Sequence, residues 1–366
     1  MKAAEPIKEG TTTVFVFQQK NSSKGPGTKE HAPFYNPAME LNRDLSILVN
    51  QWLVNTSKTP VHILDGLAAS GIRGLRLSHE LTGDFEVILN DWNDEAFSLI
   101  QQNISKGNFQ NMVAYQKDLN VLLSERRYHS IDIDPFGSPI SFIDSAMRSV
   151  YHKGLIACTA TDTAALCGVF PTVCHRRYGA WPLHAPCMHE IGLRILLGVL
   201  CREAAKYDRG IDPIVSYATD HYLRVYVQVK NGKHQANKSM EHYTTVPAQD
   251  VPLASPSTTK DIGPLWLGKL ANKDVVQELR TMLSSKELGT KHALWKLLDT
   301  LEEEAEAPPF FYTMNDLGSL LKQSSPKRDV LFERLQTKGY TVTRTHMHPT
   351  GFKTTATFEA IKEVFK

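Results

Sequence analysis

Cysteine is scarce in this chain: five in 366 residues, at positions 158, 167, 174, 187 and 201, with no Cys-x-x-Cys pair. An odd count at that spacing argues against a disulfide framework or a zinc ribbon, and reduced, intracellular thiols are the expectation. No run of eighteen apolar residues occurs, so no transmembrane helix and no membrane partner are expected. Met1–Gly10 has no basic segment leading into an apolar core, so no secretory signal is read and the cytoplasm is the expected location. No internal repeat is visible. Excess charge is also small, +2 over the whole chain, but it is unevenly spread. From Phe311 onward nine Lys/Arg stand against five Asp/Glu, a basic end that suits nucleic-acid binding and equally suits an ordinary solvated surface.

What is present is the composition of a globular protein, 42% hydrophobic and 22% charged, in a length that suggests two domains. Asn21–Lys29 reads as a mobile loop or flap. A helical pattern runs from Leu41 to Val54, with Asn42 or Asp44 as its cap. Short apolar runs then alternate with helical stretches. Strands are predicted at Val61–Leu64, Phe85–Leu89, Met112–Tyr115, Tyr128–Ile133 and Leu155–Cys158, with helices at Gly71–Leu81, Asp94–Lys106 and Pro139–Val150. That order predicts an α/β fold, a parallel, Rossmann-like sheet with crossover helices. Met188–Tyr207 has helical spacing. Ile214–Tyr217 and Tyr222–Val229 alternate as a hairpin with Arg224 and Gln228 on the polar side, and Asn231–Lys260 reads as a loop-rich connector. A domain boundary is drawn between residues 262 and 263. Helices at Asp274–Leu283 and Lys291–Glu304 lead into a winged-helix-like α+β module. Its helices are Leu317–Leu321 and Lys327–Gln336, and its wing is Thr341–Thr345 with Phe352–Ala356.

Acidic residues end the predicted strands, at the sheet edge where open α/β folds bind ligands. Asp65 opens the turn Asp65-Gly66-Leu67-Ala68-Ala69-Ser70-Gly71-Ile72-Arg73-Gly74. Its small residues let a cofactor approach the backbone, although it is not a full G-x-G-x-x-G and also fits a plain strand–helix turn. Asp91 ends the second run, where a carboxylate can hold the two ribose hydroxyls of an adenosine; a simple helix cap, in competition with Asp94, is the plainer reading. Asp118 ends the third. It can take an adenine amine while the Leu119 N–H meets a ring nitrogen, or be a loop aspartate.

The fourth run ends in Asp134-Pro135-Phe136-Gly137. The lone pair of an aromatic amine is delocalised, so methylating it needs acceptors for its N–H bonds. The Asp134 carboxylate and Pro135 carbonyl are candidates, and Phe136 can stack on the base. Asp132 is the rival acid, but strand alternation puts it one step inside the strand. The usual Asp/Asn-Pro-Pro-aromatic motif has a second proline and an aromatic fourth residue, so this run departs from it. Phe34 is a candidate second aromatic wall for a base drawn out of its stack. His175-Arg176-Arg177, and Arg344 with Lys353, are candidate phosphate contacts.

Taken in order, several runs resemble the Trm1 family of tRNA (guanine-N2)-dimethyltransferases. They are Phe34-Tyr35-Asn36-Pro37, Asn42-Arg43-Asp44, Gly71-Ile72-Arg73-Gly74, Asp134-Pro135-Phe136-Gly137-Ser138-Pro139, Thr159-Ala160-Thr161-Asp162, Leu166-Cys167-Gly168, Pro264-Leu265-Trp266-Leu267-Gly268 and Arg344-Thr345-His346. The likeness spans nearly the whole chain and is closest to a compact, archaeal-like form. It implies a class I methyltransferase sheet and S-adenosylmethionine bound by Arg43, Arg73, Asp91, Asp118 and Leu119, with Arg43 at the methionine carboxylate. It further implies Asp134 as the acceptor, a flipped guanine held between Phe34 and Phe136, and tRNA as substrate, usually at position 26 and in some members at 27. Many members carry a cysteine zinc site where this chain has Asn231–Lys260 without cysteine, so no metal is expected. A monomer is expected. A winged-helix regulator with a nucleotide-sensing α/β domain is the alternative; an NAD-dependent oxidoreductase would share Asp91 but give Asp134-Pro135-Phe136-Gly137 no role.

Overall fold

The computed structural model describes residues 4–17 and 35–366 apart from 108, 110, 220, 256, 258 and 259. Phe34 and the expected flap Asn21–Lys29 therefore lie outside the described residues. The first element is an antiparallel hairpin, β1 (Glu5–Glu9) and β2 (Thr12–Val16), which the sequence pattern does not foreshadow. Val14 and Val16 seat it on Ile72 and Leu75.

Helix α1 (Glu40–Thr56) follows. Its two expected caps, Asn42 and Asp44, lie within it and are buried; a side-chain cap is supplied instead by Asn36, on the 3-10 turn Pro37–Met39 before it. Asp44 can lie inside because it has buried partners. Arg76, on the next helix, reaches Asp44 at 2.7 Å, Glu9 at 2.8 Å and Glu80 at 2.8 Å, while Arg43 closes on Glu9 with both ends of its fork. Asp44 also accepts the Thr290 N–H at 2.8 Å. Burial alone would raise the Glu9 pKa, but Arg43 and Arg76 hold it below the usual carboxylate range.

Five strands then alternate with four helices: β3 (Val61–Asp65), α2 (Ile72–Glu80), β4 (Phe85–Asn90), α3 (Asp94–Gly107), β5 (Met112–Tyr115), α4 (Leu119–Glu125), β6 (Tyr128–Ile133), α5 (Ile140–Ser149) and β7 (Val150–Ala160). After α6 (Thr163–Leu166), α7 (Pro171–Tyr178) and α8 (Met188–Ala205), the hairpin β8 (Arg209–Ala218) and β9 (Leu223–Asn231) completes a seven-stranded sheet. Its order is β5-β4-β3-β6-β7-β9-β8, with β3 to β7 parallel and β9 antiparallel to both neighbours. Chain order reverses between β3 and β6, which opens a crevice at their carboxyl ends.

The connector expected at Asn231–Lys260 is more ordered than its polar composition suggests: it holds α9 (Lys233–Met240) and β10 (Tyr243–Val246). Only Ala236 and Ser239 of α9 are buried, so the helix carries almost no apolar period. β10 pairs with β11 (Ile262–Trp266), so the boundary expected between 262 and 263 falls inside a strand. Helices α10 (Lys273–Leu283) and α11 (Lys291–Glu304) pack into the same core as α1. A separate small core lies beyond them, around Leu317, Leu331, Phe352 and Ile361. It is built by β12 (Tyr312–Thr313), α12 (Met314–Leu321), α13 (Arg328–Thr337), β13 (Val342–Arg344), β14 (Gly351–Thr354) and α14 (Phe358–Val364), with the sheet ordered β12-β14-β13.

Two expected phosphate contacts have other duties. Lys353 is buried at 1% exposure and donates to Glu190 on α8 at 3.0 Å, with Glu304 on α11 at 3.4 Å. Arg344 binds Asp299 and Glu303. Both cations are drawn inward by carboxylates of the preceding helices. Against burial, His346 and Lys353 hold the Glu304 carboxyl down to about 2.

Removing one member of a buried ion network leaves the others uncompensated. Arg76→Met leaves Glu9, Asp44 and Glu80 without their shared cation. It is expected to destabilise the fold by about 3–5 kcal/mol, measured as a lowered Tm by calorimetry.

Candidate active site

The turn after β3 is shaped by close approach. Gly71 has φ 78° and lies where a Cβ would sit 3.1 Å from Leu89 and Ile100; at Gly74 it would sit 2.8 Å from Leu89. Ala69 also takes a positive φ, 48°. The fold of the turn is held by Ala68 N–H donating to Asn90 O at 2.9 Å and Gly66 N–H to Asp132 O at 3.0 Å. Asp65 accepts the Gly74 N–H at 3.1 Å. Burial pushes its carboxyl up to about 7, helped by the negative charges of Asp132 and Asp134 and opposed by Arg73.

Asp91 lies at the end of β4 and is not a helix cap. Its carboxylate accepts the N–H of Ala69 at 2.8 Å and of Asn93 at 3.0 Å, while Asn93 caps α3 by accepting from Ala96. Burial raises its pKa, against those backbone donors. Trp92, beside it, is 75% exposed. Asp118 does cap α4, through one oxygen that accepts from Asn120 at 2.9 Å and Val121 at 3.3 Å, and it remains exposed. Leu119 is buried, its methyls close against Gly66.

Between β3 and β6 the charges meet. Asp132 is buried and accepts Arg224 Nη1 at 3.0 Å as well as Nη2, with Arg73 Nη1 at 3.5 Å. Arg73 donates to Asn42 Oδ1 at 2.8 Å and Ser46 Oγ at 2.6 Å, and its other nitrogen binds Asp134. Arg224 is fully buried and also reaches Thr159 at 2.8 Å and Tyr226 at 3.2 Å. Burial would raise the Asp132 pKa; the two guanidiniums bring it below its ordinary value. Asp134 is the more accessible acid, its side chain 17% exposed against 5% for Asp132. The next residues form an open rim: Phe136 is 44% exposed, and Gly137 exchanges two hydrogen bonds with Thr161, at 2.6 and 2.9 Å.

Asp65, Arg73, Asp132, Asp134 and Arg224 thus form one cluster, beside Asp91 across the turn. Arg43 is committed elsewhere, to Glu9 and the Asn36 carbonyl; at 5% exposure it needs a full charge partner. The polar face expected for Arg224 is corrected, since both faces of the sheet are covered and its inward turn is explained by Asp132. Pairing partners far apart in the chain leave no periodic trace, so Arg224, Asn42 and Thr161 were not readable as site residues. Two buried polar atoms of this region, Asn42 Nδ2 and Ser70 Oγ, have no protein partner. With the Asp91 carboxylate they form a donor and acceptor set suited to an amino-acid-bearing nucleoside such as S-adenosylmethionine. Among the described residues no cluster of His, Cys, Asp or Glu suits a metal ion.

A sheet of this order, with acids at successive carboxyl ends, defines a class I methyltransferase fold. The family model described as N2,N2-dimethylguanosine tRNA methyltransferase matches residues 14–366, and the chain belongs to that family. A tRNA (guanine(26)-N(2))-dimethyltransferase of Pyrococcus furiosus is 38% identical over 98% of both chains. One of Methanobrevibacter smithii is 35% identical, covering 98% of this chain and 96% of its own. The structure of Trm1 from Pyrococcus horikoshii in complex with S-adenosyl-L-methionine superposes with a TM-score of 0.87 at 34% identity, covering 99% of this chain and 100% of that one.

The raised pKa of Asp65 has a sign that can be tested. The folded state holds a proton that the unfolded state releases, so this group lowers stability progressively as pH rises from the ordinary carboxylate range to about 7, with no further change above. Asp65→Asn removes that loss. The Tm difference between variant and wild type is expected to shift in the variant's favour between about pH 5 and about pH 7.5, measured without ligand.

Proposed function

We propose that this protein transfers methyl groups from S-adenosylmethionine to the exocyclic N2 of a guanine in tRNA, at position 26, giving N2-methyl- and N2,N2-dimethylguanosine. The observation that carries the reading is the cluster at the β3–β6 crevice, where partly buried Asp134 precedes exposed Phe136 by two residues and is tied through Arg73 to buried Asp132. Family membership supplies the base and the RNA.

In this reading Asp91 takes the ribose hydroxyls, Asp118 with the Leu119 N–H takes the adenine, and Asp65, Gly71 and Arg73 border the methionine end. Arg43 can turn to the methionine carboxylate only by leaving Glu9, which Arg76 continues to hold. When bound, the cofactor supplies a sulfonium-activated methyl group and leaves as a neutral thioether. Phe136 stacks on the flipped guanine. The Asp134 carboxylate and Pro135 carbonyl accept the two N–H bonds, which turns the nitrogen lone pair toward the methyl. As the N–C bond forms, Asp134 takes one proton. After the first transfer a single N–H remains, so the amine must rotate before the second.

The segment 263–366 is assigned to tRNA docking, with the chain acting as a monomer. Lys322, Lys327 and Arg328, exposed around the turn between α12 and α13, support that assignment. A regulator that only senses a nucleotide would leave the Asp132–Arg73–Asp134 chain without a task. No helix of the described residues is long and apolar enough to cross a membrane, which agrees with work on tRNA in the cytoplasm.

Incubation with S-adenosylmethionine and a tRNA transcript, followed by nucleoside mass spectrometry, should yield both products at position 26. Asp134→Ala should lower kcat by about 10²- to 10⁴-fold while S-adenosylhomocysteine affinity stays within a few-fold of wild type. Full activity in that variant would sink the assignment.

A further inference from the structure

The turn after α6 has no role in the reaction just described, yet its construction is unusual. Val169 and Phe170 are 53% and 55% exposed, and they are the one adjacent pair among the large exposed apolar side chains of the described residues. Their backbone is firmly held. Both N–H groups donate to Ala164 O, at 3.0 and 3.1 Å, and the Phe170 carbonyl accepts from Val173 and Cys174, each at 3.1 Å. Gly168, at φ 86°, lies so close to the next loop that a Cβ would stand 2.6 Å from His184 N. Two apolar side chains are thus presented to solvent from a fixed support.

The support is continuous with the rim that carries Phe136. Gly137 is joined to Thr161 by two hydrogen bonds, and the Asp162 carbonyl accepts the Ala165 and Leu166 N–H groups of α6, at 3.0 and 3.4 Å. The flank is basic: Arg176 is exposed on α7 beside His175 and beside Arg177, which pairs with Asp162 at 3.0 Å, and Lys260 lies 3.3 Å over the Trp181 ring on which His175 stacks. An apolar tip with cations on one side, set beside a pocket for an extruded base, has the chemistry of a surface for stacked polyanion. Apolar side chains inserted between bases offset unstacking.

We propose that Val169 and Phe170 form a wedge that enters the base stack of the substrate RNA where the target guanine leaves it, with Phe170 stacking on a base that the guanine abandons. The inference rests on the functional reading above. It makes extrusion of the guanine a joint act of two loops: Phe136 receives the base and Phe170 occupies the space behind it.

The test places 2-aminopurine at the target position of a tRNA transcript and follows its fluorescence on addition of protein and S-adenosylhomocysteine. Wild type should raise the signal as the purine unstacks. Phe170→Ala should lose most of that rise and lower kcat/KM for tRNA methylation about 5- to 100-fold. Tm and S-adenosylhomocysteine affinity should remain at wild-type values, and Phe170→Trp should restore the signal. Unchanged fluorescence and kcat/KM in Phe170→Ala would overturn the wedge alone. So would a change of mass in light scattering with methylation intact, which would mark the pair as a contact between protein chains. Failure of wild type to methylate tRNA would overturn the functional reading and the wedge with it.

Discussion

The pairing of Asp132 with Arg224 is the interaction on which the site depends. A buried aspartate on a central strand needs a full countercharge, and Arg224 supplies it from the antiparallel strand two places along the sheet. The same carboxylate leans on Arg73, so the helix after β3 is fixed in rotation against β6. Arg73 in turn sets Asp134 at the sheet edge. Four side chains from α2, β6, the loop after β6 and β9 therefore share one electrostatic solution. The order β3-β6-β7-β9 is what brings them within reach.

The alternation of apolar runs and helical stretches was enough to read the parallel part of the sheet, because buried parallel strands are apolar throughout and end in turn residues. The positions of Asp65, Asp91 and Asp134 follow for the same reason, since each stands where a strand stops, while Asp118 stands at the N-cap of α4. Less could be read where polar residues turn inward. Arg224 alternates as though it faced solvent, and Asp44 resembles a cap. Lys353 resembles a phosphate ligand in a basic tail. In each case the deciding fact is a partner at long range, Asp132, Arg76 or Glu190, and no local period encodes it. The expected boundary lies within β11 for a related reason. A strand of five residues, Ile262–Trp266, completes a ladder begun at Tyr243, and the polar stretch between hides their kinship.

The two open rims also divide by chemistry. Around Asp91 and Trp92 the crevice offers hydrogen-bond acceptors beside an exposed indole, suited to a nucleoside. Around Asp134, Phe136 and Thr161 it offers an acid beside an aromatic ring, suited to a base amine. The Arg73 side chain borders the second of them, bound to Asn42 and Ser46 of α1 through one nitrogen and to Asp134 through the other.

Lys353 gives the tail of the chain a different meaning from its sequence. Its ammonium shares Glu190, deep in the helix that covers the sheet, with Arg194, and shares Glu304 at the end of α11 with His346. A chain ending before that lysine would lose the one cation that the two buried carboxylates have in common. The small C-terminal core is therefore tied to the rest of the fold by a buried charge as well as by apolar packing. Any tail grafted in its place would have to bring a cation to the same depth.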